Sequence, residues 1–183
     1  HLNSWAGGEV FAAPLAALGA QMGSVEMHTH ARLANTHAPQ LRTHDVQGRR
    51  IDQVEFHPSY HVLLGAALQF GLHGTPWSGA TLSHVERAAG FMLFTELEPS
   101  VLCPVSMSYA VTPALRANAA IAQAWTSKLA ATAYDPRFMP FEHKSAVTMG
   151  MGMTEKQGGS DVRANTTRAE FDGDTAWGRA YRL

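Results

Sequence analysis

Cysteine is almost missing from this chain. Cys103 is its only thiol, which excludes an internal disulfide framework and any zinc or iron–sulfur site built on several cysteines. A surplus of either charge is missing too: 14 Lys and Arg stand against 15 Asp and Glu, with a pI near 6.9. Nucleic-acid modules usually carry a basic excess that this balance lacks. No apolar run approaches the ~20 residues that a membrane-spanning helix requires. Charged residues make up only 16% of the chain and hydrophobic ones 45%, which is the composition of a globular protein and not of a disordered one. The 183 residues suit roughly one to one and a half domains. The chain opens at His1 without a signal peptide, so the expectation is a reducing, cytoplasmic compartment and a missing natural start.

What is there reads as helices followed by strands. Residues 5–22 are rich in Ala, Leu and Val, with Pro14 as an interior breaker. Ser24 is placed to cap a helix over 24–35, with Val25, Met27, Ala31 and Leu33 as a loose apolar face. Pro39, the Gln47-Gly48 turn signal and the run Ile51, Val54, Phe56 predict a short extended excursion within 36–57. Pro58 suits the first turn of a helix running toward Gly71, and 71–79 is a breaker-rich loop. Thr81 or Ser83 caps the next helix, with Val85, Ala88, Ala89, Met92 and Leu93 predicted inward and Pro99 as its stop. An apolar, buried helix is expected after Pro104, and another over about 119–132 with Ile121, Trp125 and Leu129 buried. From 143 on the character is β: a strand through 146–154, a Gly-Gly-Ser turn at 158–160, a strand over 166–171, a hairpin turn at Asp172-Gly173 and a final strand over 176–183.

Most of the chemistry is concentrated in residues 149–167. Gly150 and Gly152 carry no side chain, so a flat ring can approach the backbone there. Met151 and Met153 offer polarizable contacts to an aromatic face. Thr154 has a hydroxyl for the ring's polar edge. Gly158 and Gly159 permit a tight turn that aims N–H groups at an anion, with Ser160 as a further donor. Taken alone, the Gly-Gly pair reads more readily as plain hairpin punctuation.

The full string Met-Thr-Glu-Lys-Gln-Gly-Gly-Ser-Asp-Val over 153–162 resembles the flavin-binding signature of the acyl-CoA dehydrogenase family. Lys156 and Gln157 depart from the usual Pro-Gly start, as in the AidB-type branch, the adaptive-response flavoproteins of alkylation defence. Asp-Val-Gln-Gly-Arg-Arg-Ile-Asp at 45–52, Phe-His-Pro at 56–58, Leu-Cys-Pro-Val-Ser-Met at 102–107 and Asn-Thr-Thr-Arg-Ala-Glu at 165–170 are similar to that branch as well. The resemblance implies a mainly α fold, with an acyl-CoA dehydrogenase-like N-terminal helical domain over 1–142 and the first strands of the middle β-barrel domain, truncated, over 143–183. It implies FAD as cofactor, held by Met151, Gly152, Met153, Thr154, Glu155, Gly158, Gly159 and Ser160. Within that set, Thr154 would meet the ring's pyrimidine side and Ser160 the pyrophosphate. The implied chemistry is dehydrogenation of an acyl-CoA thioester by a Glu base in a C-terminal domain that this chain lacks, in a homotetrameric parent. In that branch DNA binding belongs to the same C-terminal region. A flavin-containing DNA-protection protein with vestigial dehydrogenase activity is therefore the alternative, and a helical oligomerisation module is the blandest one. The chain by itself is expected to show neither turnover nor tight FAD binding.

Other candidates are set aside. His28 with His30, and His57 with His61, lack the acidic partner of a zinc triad. Glu96 and Glu98 read as a solvated helix end, and Cys103 as a buried structural thiol. The residues around Trp77 suggest no mechanism. No catalytic residue is assigned within the chain.

Overall fold

The computed structural model describes residues 12–79, 82–175 and 178–183. Helices α1 (Ala12–Met22) and α2 (Val25–Thr36) precede a two-stranded ribbon, β1 (Gln40–His44) and β2 (Arg50–Glu55), after which come α3 (Pro58–Gln69), α4 (His84–Thr95), α5 (Leu102–Ala114) and α6 (Ala119–Leu129). A second antiparallel pair, β3 (Glu170–Thr175) with β4 (Gly178–Arg182), ends the chain. The fold is mainly helical with early strands, as expected. Contacts divide it into two units, one up to Gly150 and one over Met151–Leu183.

Local chemistry sets the helix starts. The Ser24 side chain accepts from Met27 N to open α2. Pro58 occupies the first turn of α3, where its missing N–H costs nothing, and His57 Nδ1 just before it accepts from Ser59 N at 3.1 Å. Ser83 and Glu86 form a reciprocal capping box on α4, and Asn118 caps α6 through Ile121 N. The ribbon turns where Asp45 Oδ1 accepts from both Gln47 N and Arg49 N at 2.9 Å, with Gly48 at a φ of 79°.

The core lies among α1, α2, α3, α4 and α5, around fully buried Leu63, Leu68, Leu72, Phe94 and Val105. Two glycines mark its tightest approaches. A Cβ on Gly74 would lie 2.6 Å from Leu129 O and 2.9 Å from Thr112 Oγ1, and one on Gly90 would lie 2.5 Å from the Phe70 ring. The clash at Gly74 is with backbone, which has little freedom to yield. Gly74→Ala is therefore expected to destabilise by about 1–3 kcal/mol or more. An unchanged denaturant midpoint in the variant would show that the 74–129 contact is looser than the structure has it.

Several sequence expectations are corrected. The helix read over 5–22 is seen from Ala12 onward with Pro14 in its first turn, where proline is tolerated; residues 5–11 and Thr81 lie outside the described residues. On α4 the buried residues are Glu86, Ala89, Gly90 and Phe94, whereas Val85 and Met92 are 52% and 56% exposed. The helix turns Gly90 inward, where the Phe70 ring and the Leu72 side chain, both just past α3, pack close against it. On α5 one face is buried, not the whole helix. Ile121 is 42% exposed, and Trp125 is half-buried, stacked on Phe141 at 4.0 Å; of that helical stripe only Leu129 enters the core. No strand runs through 146–154, because extended backbone becomes a strand only beside a ladder partner. Asp172 and Gly173 lie inside β3, where Gly173, at a φ of 122°, forms a bulge. The β3–β4 ladder closes at the Thr175–Gly178 pair instead.

Candidate functional site

Residues 151–167 form a small self-bonded arch within the second unit. Met151 and Met153 are about half exposed, at 54% and 50%. Among the described residues nothing lies within 4 Å of where a Cβ would sit on Gly152, so the path from Met151 to Met153 presents bare backbone between two thioethers. Thr154 is exposed and lies against Gly159, whose hypothetical Cβ would be 3.1 Å from Thr154 Oγ1. The chain then reverses: Gly158 N donates to Glu155 O at 3.0 Å, these two residues form an isolated bridge, and Gly158 takes a φ of 113°. Ser160 follows, exposed, and the Asp161 side chain accepts from Arg163 N at 3.2 Å to begin a short 3-10 turn, Val162–Ala164.

The Glu155 carboxylate organises this arch. It accepts from Thr166 N at 2.9 Å and from Thr167 N at 2.7 Å, and Gln157 Nε2 adds a bond at 3.1 Å. The Thr167 hydroxyl and these backbone amides hold the Glu155 carboxyl down at a pKa of about 2. Asn165 Nδ2 donates to Met153 O at 2.8 Å, fixing the carbonyl just before Thr154. The structure thus brings Met151, Gly152, Met153, Thr154, Glu155, Gly158, Gly159 and Ser160 into one short stretch, with Glu155 turned to its own scaffold. Sequence reasoning missed the scaffold partners Gln157, Asn165, Thr166 and Thr167. The signal for three of them was present, since Asn165-Thr166-Thr167 stands in one of the segments similar to the adaptive-response branch.

The groups set aside above find structural work. His30 Nδ1 pairs with Ser59 Oγ at 3.0 Å, and His61 Nδ1 with the Tyr134 hydroxyl at 2.6 Å. Burial pushes the Tyr134 phenol up to about 12, so it stays protonated beside His61. This pair lines a cavity of about 370 Å³ with Phe56, Tyr60, Arg137 and Lys144. Among the described residues no cluster of three or more His, Cys, Asp or Glu is placed to hold a metal ion. Glu98 is a correction: it is 1% exposed, not a solvated helix end. Cys103 is another, being exposed on the first turn of α5. The Pro104 beside it is a first-turn residue that leaves the thiol on the outer face.

The family model for the adaptive response protein AidB N-terminal domain matches residues 1–136. The chain belongs to the AidB family. AidB of Escherichia coli strain K12 is 45% identical over 159 residues, which cover 85% of this chain and 29% of that protein. Acyl-CoA dehydrogenase family member 11 of Caenorhabditis elegans is 28% identical over 177 residues, covering 94% of this chain and 27% of that protein. Among solved structures, C. elegans ACDH-11 in complex with C11-CoA superposes with a TM-score of 0.72 at 25% identity, over 90% of this chain and 28% of that one. The apo form of Bd2924 gives 0.68 at 25% identity, over 86% and 30%. This is an acyl-CoA dehydrogenase-like chain that spans under a third of the length of the relatives it matches. No helix among the described residues is long and apolar enough to cross a membrane.

Proposed function

We propose that the protein carrying this chain is an FAD-binding oxidoreductase of the AidB type, acting on the CH–CH group of acyl-CoA thioesters in the cytoplasm as a homotetramer and serving the adaptive response to DNA alkylation. The observation that carries the flavin reading is the side-chain-free backbone at Gly152, flanked by two half-exposed methionines and separated by residues 154–157 from the Gly158-Gly159-Ser160 turn. The residues fit the group. The open backbone admits a planar ring at contact distance, and Met151 and Met153 supply sulfur contacts to its face. The exposed Thr154 hydroxyl offers a hydrogen bond to the ring's polar edge. Backbone N–H groups near Gly159 and the Ser160 hydroxyl suit the pyrophosphate. Glu155 and Asn165 hold the arch in shape through the bonds described above. When bound, FAD supplies the hydride acceptor.

Acyl-CoA as substrate draws support from the C. elegans relative, whose structure holds C11-CoA. The most basic segment of the chain gives no support to DNA binding. On the β1–β2 ribbon Arg42 pairs with Glu55, Arg49 with Asp45 and Arg50 with Asp52, so its field is largely neutralised.

Ser160→Ala tests the phosphate end. A hydroxyl contributes ~1 kcal/mol to such a contact, so the variant is expected to bind FAD about fivefold more weakly. The melting temperature of the apo-protein is expected to stay unchanged, since Ser160 is exposed. Equal FAD affinities by fluorescence quenching would remove Ser160 from the site.

A further inference from the structure

The cavity of about 370 Å³ beside the His61–Tyr134 pair has no part in the flavin reading. Every residue lining it precedes Gly150, so it belongs wholly to the first unit. Its size lies in the range of small-molecule sites, roughly 300–1,000 Å³. Aromatic rings form one wall. Phe56 and Tyr60 stack at 4.1 Å, His61 meets both edge-on at 6.1 and 5.6 Å, and Tyr134 lies 5.8 Å from His61. The Tyr134 ring is packed on α3, 3.5 Å from where a Cβ would sit on Gly65. Buried Leu64, Leu68 and Val147 add apolar surface. Burial lowers the His61 pKa, so this ring is a polar point without charge, and its Nε2 has no partner among the described residues.

The charged groups of the cavity are unevenly used. The Asp135 carboxylate accepts from Arg137 Nε at 2.8 Å, Arg137 Nη2 at 2.6 Å and Ser145 N at 2.9 Å. Glu55 accepts from Arg42 Nη1 at 3.0 Å. Each acid is thus balanced by an arginine, whereas donors remain over on the basic side. Arg137 Nη1 has no partner among the described residues, and that side chain is 57% exposed. The Lys144 ammonium commits one N–H, to Arg137 O at 2.6 Å, and has two more to give. It forms no ion pair among the described residues. The lining therefore carries one uncompensated positive charge next to a wall of flat rings.

We propose that this cavity is a second ligand site, for a small aromatic carboxylic acid whose ring lies against the Phe56–Tyr60–Tyr134 wall and whose carboxylate meets Lys144 and the free edge of Arg137. Flat rings favour a flat partner through offset and edge-to-face contacts. A single spare positive charge matches a carboxylate, whereas a doubly charged phosphate would leave negative charge unpaired in half-buried surroundings. An amine would set a second cation beside Lys144 with both acids already taken. The test is calorimetric titration of benzoate, and of its neutral isostere benzamide, into the protein that carries this chain. Four forms are compared: wild type, Lys144→Met, Lys144→Arg and Val54→Trp. Val54 lines the cavity from β2 and is 48% exposed, so a larger side chain is tolerated there and takes up cavity space. Wild type is expected to bind benzoate at millimolar concentration or better, and benzamide about tenfold more weakly, the difference made by a charge-assisted bond. Lys144→Met is expected to lose about tenfold for benzoate alone, Lys144→Arg to restore it, and Val54→Trp to weaken both ligands about tenfold or more. Absence of saturable benzoate binding at millimolar concentration overturns the proposal. So does benzoate binding that Val54→Trp leaves intact, which lies elsewhere in the protein. Wild-type benzoate affinity in Lys144→Met, or an equal loss of both ligands there, overturns it as well, since the lysine then recognises no carboxylate. None of these outcomes depends on whether the protein holds FAD.

Discussion

Replacing Glu98 by alanine is expected to lower stability by about 2–4 kcal/mol. The carboxylate closes the approach to α5 from within. Its Oε2 accepts from Val101 N at 2.8 Å, and its Oε1 from Ser100 N at 3.0 Å, Ser100 Oγ at 2.5 Å and Asn35 Nδ2 at 3.0 Å. One side chain thereby satisfies the backbone ahead of Leu102–Ala114 and ties α2 to that turn. Its negative charge also suits the N-terminal end of a helix. Truncation leaves the buried Val101 amide without its acceptor, while the Asn35 and Ser100 donors regain water only partly. Glu98→Gln keeps the shape and one acceptor oxygen, and is expected to lose about half as much. Chemical denaturation of both variants checks the order. An alanine variant within ~0.5 kcal/mol of wild type would show that water replaces the carboxylate without cost. The pH dependence has a definite sign. Burial pushes this carboxyl up, but the hydrogen bonds from Ser100, Val101 and Asn35 outweigh it and hold it below the ordinary glutamate range. Its contribution is thus fully present above the unfolded glutamate pKa and is lost as pH falls through the lower folded value.

A larger pH effect is expected at milder acidity, from His73. The ring is fully buried, its Nε2–H donates to Ala131 O at 2.9 Å, and its Nδ1 has no partner among the described residues. Burial lowers its pKa from 6.5 to about 4, the Ala131 bond opposes that shift, and the charge of Arg87 reinforces it. The folded state therefore refuses a proton that the unfolded chain accepts. Stability is complete above pH 6.5, falls as pH drops from 6.5 toward 4, and levels off below that after a loss of about 3 kcal/mol from this group. His61, also lowered by burial, adds loss in the same direction. His73→Asn isolates the buried ring: whatever its stability at pH 7.5, its profile between pH 6.5 and 4.5 is expected to be flatter than that of the wild type. Parallel profiles would mean that His73 is protonated in the fold without penalty.

The parts of this fold that were legible in the sequence are those decided by neighbours in the chain. The caps at Ser24 and Ser83, Pro58 in a first turn and the Gln47-Gly48 reversal all act over two to four residues. The misreadings arise where a distant partner decides. Ala89 is buried as expected, but Val85 and Met92, more apolar than Gly90, are exposed while Gly90 is buried, because the Phe70 ring comes too close at that position for any side chain. Glu98 looked like solvent-facing charge because its burial is decided by tertiary packing, including α2, whose Asn35 donates to it from 63 residues away. Residues 146–154 have strand-like composition, yet β propensity needs a partner to become a ladder. The candidate site was legible as a string of residue types. Its scaffold was not, because Glu155 reaches Thr166 and Thr167 through backbone amides, which any sequence supplies.

The central claim is that the bare backbone around Gly152 is where the flavin ring lies, and Gly152→Val tests it most directly. A Cβ at Gly152 meets nothing within 4 Å among the described residues, so the variant is expected to fold with an unchanged apo melting temperature. A branched side chain on that path would nonetheless occupy the space of a ring in contact with the backbone. The measurement is FAD affinity and flavin content of the protein that carries this chain, wild type against Gly152→Val. The account predicts a stoichiometric flavin in the wild type and a loss of about a hundredfold or more in affinity in the variant, since a ring held off by one side chain forfeits its contact with that wall. A Gly152→Val protein that retains FAD with wild-type affinity would contradict it.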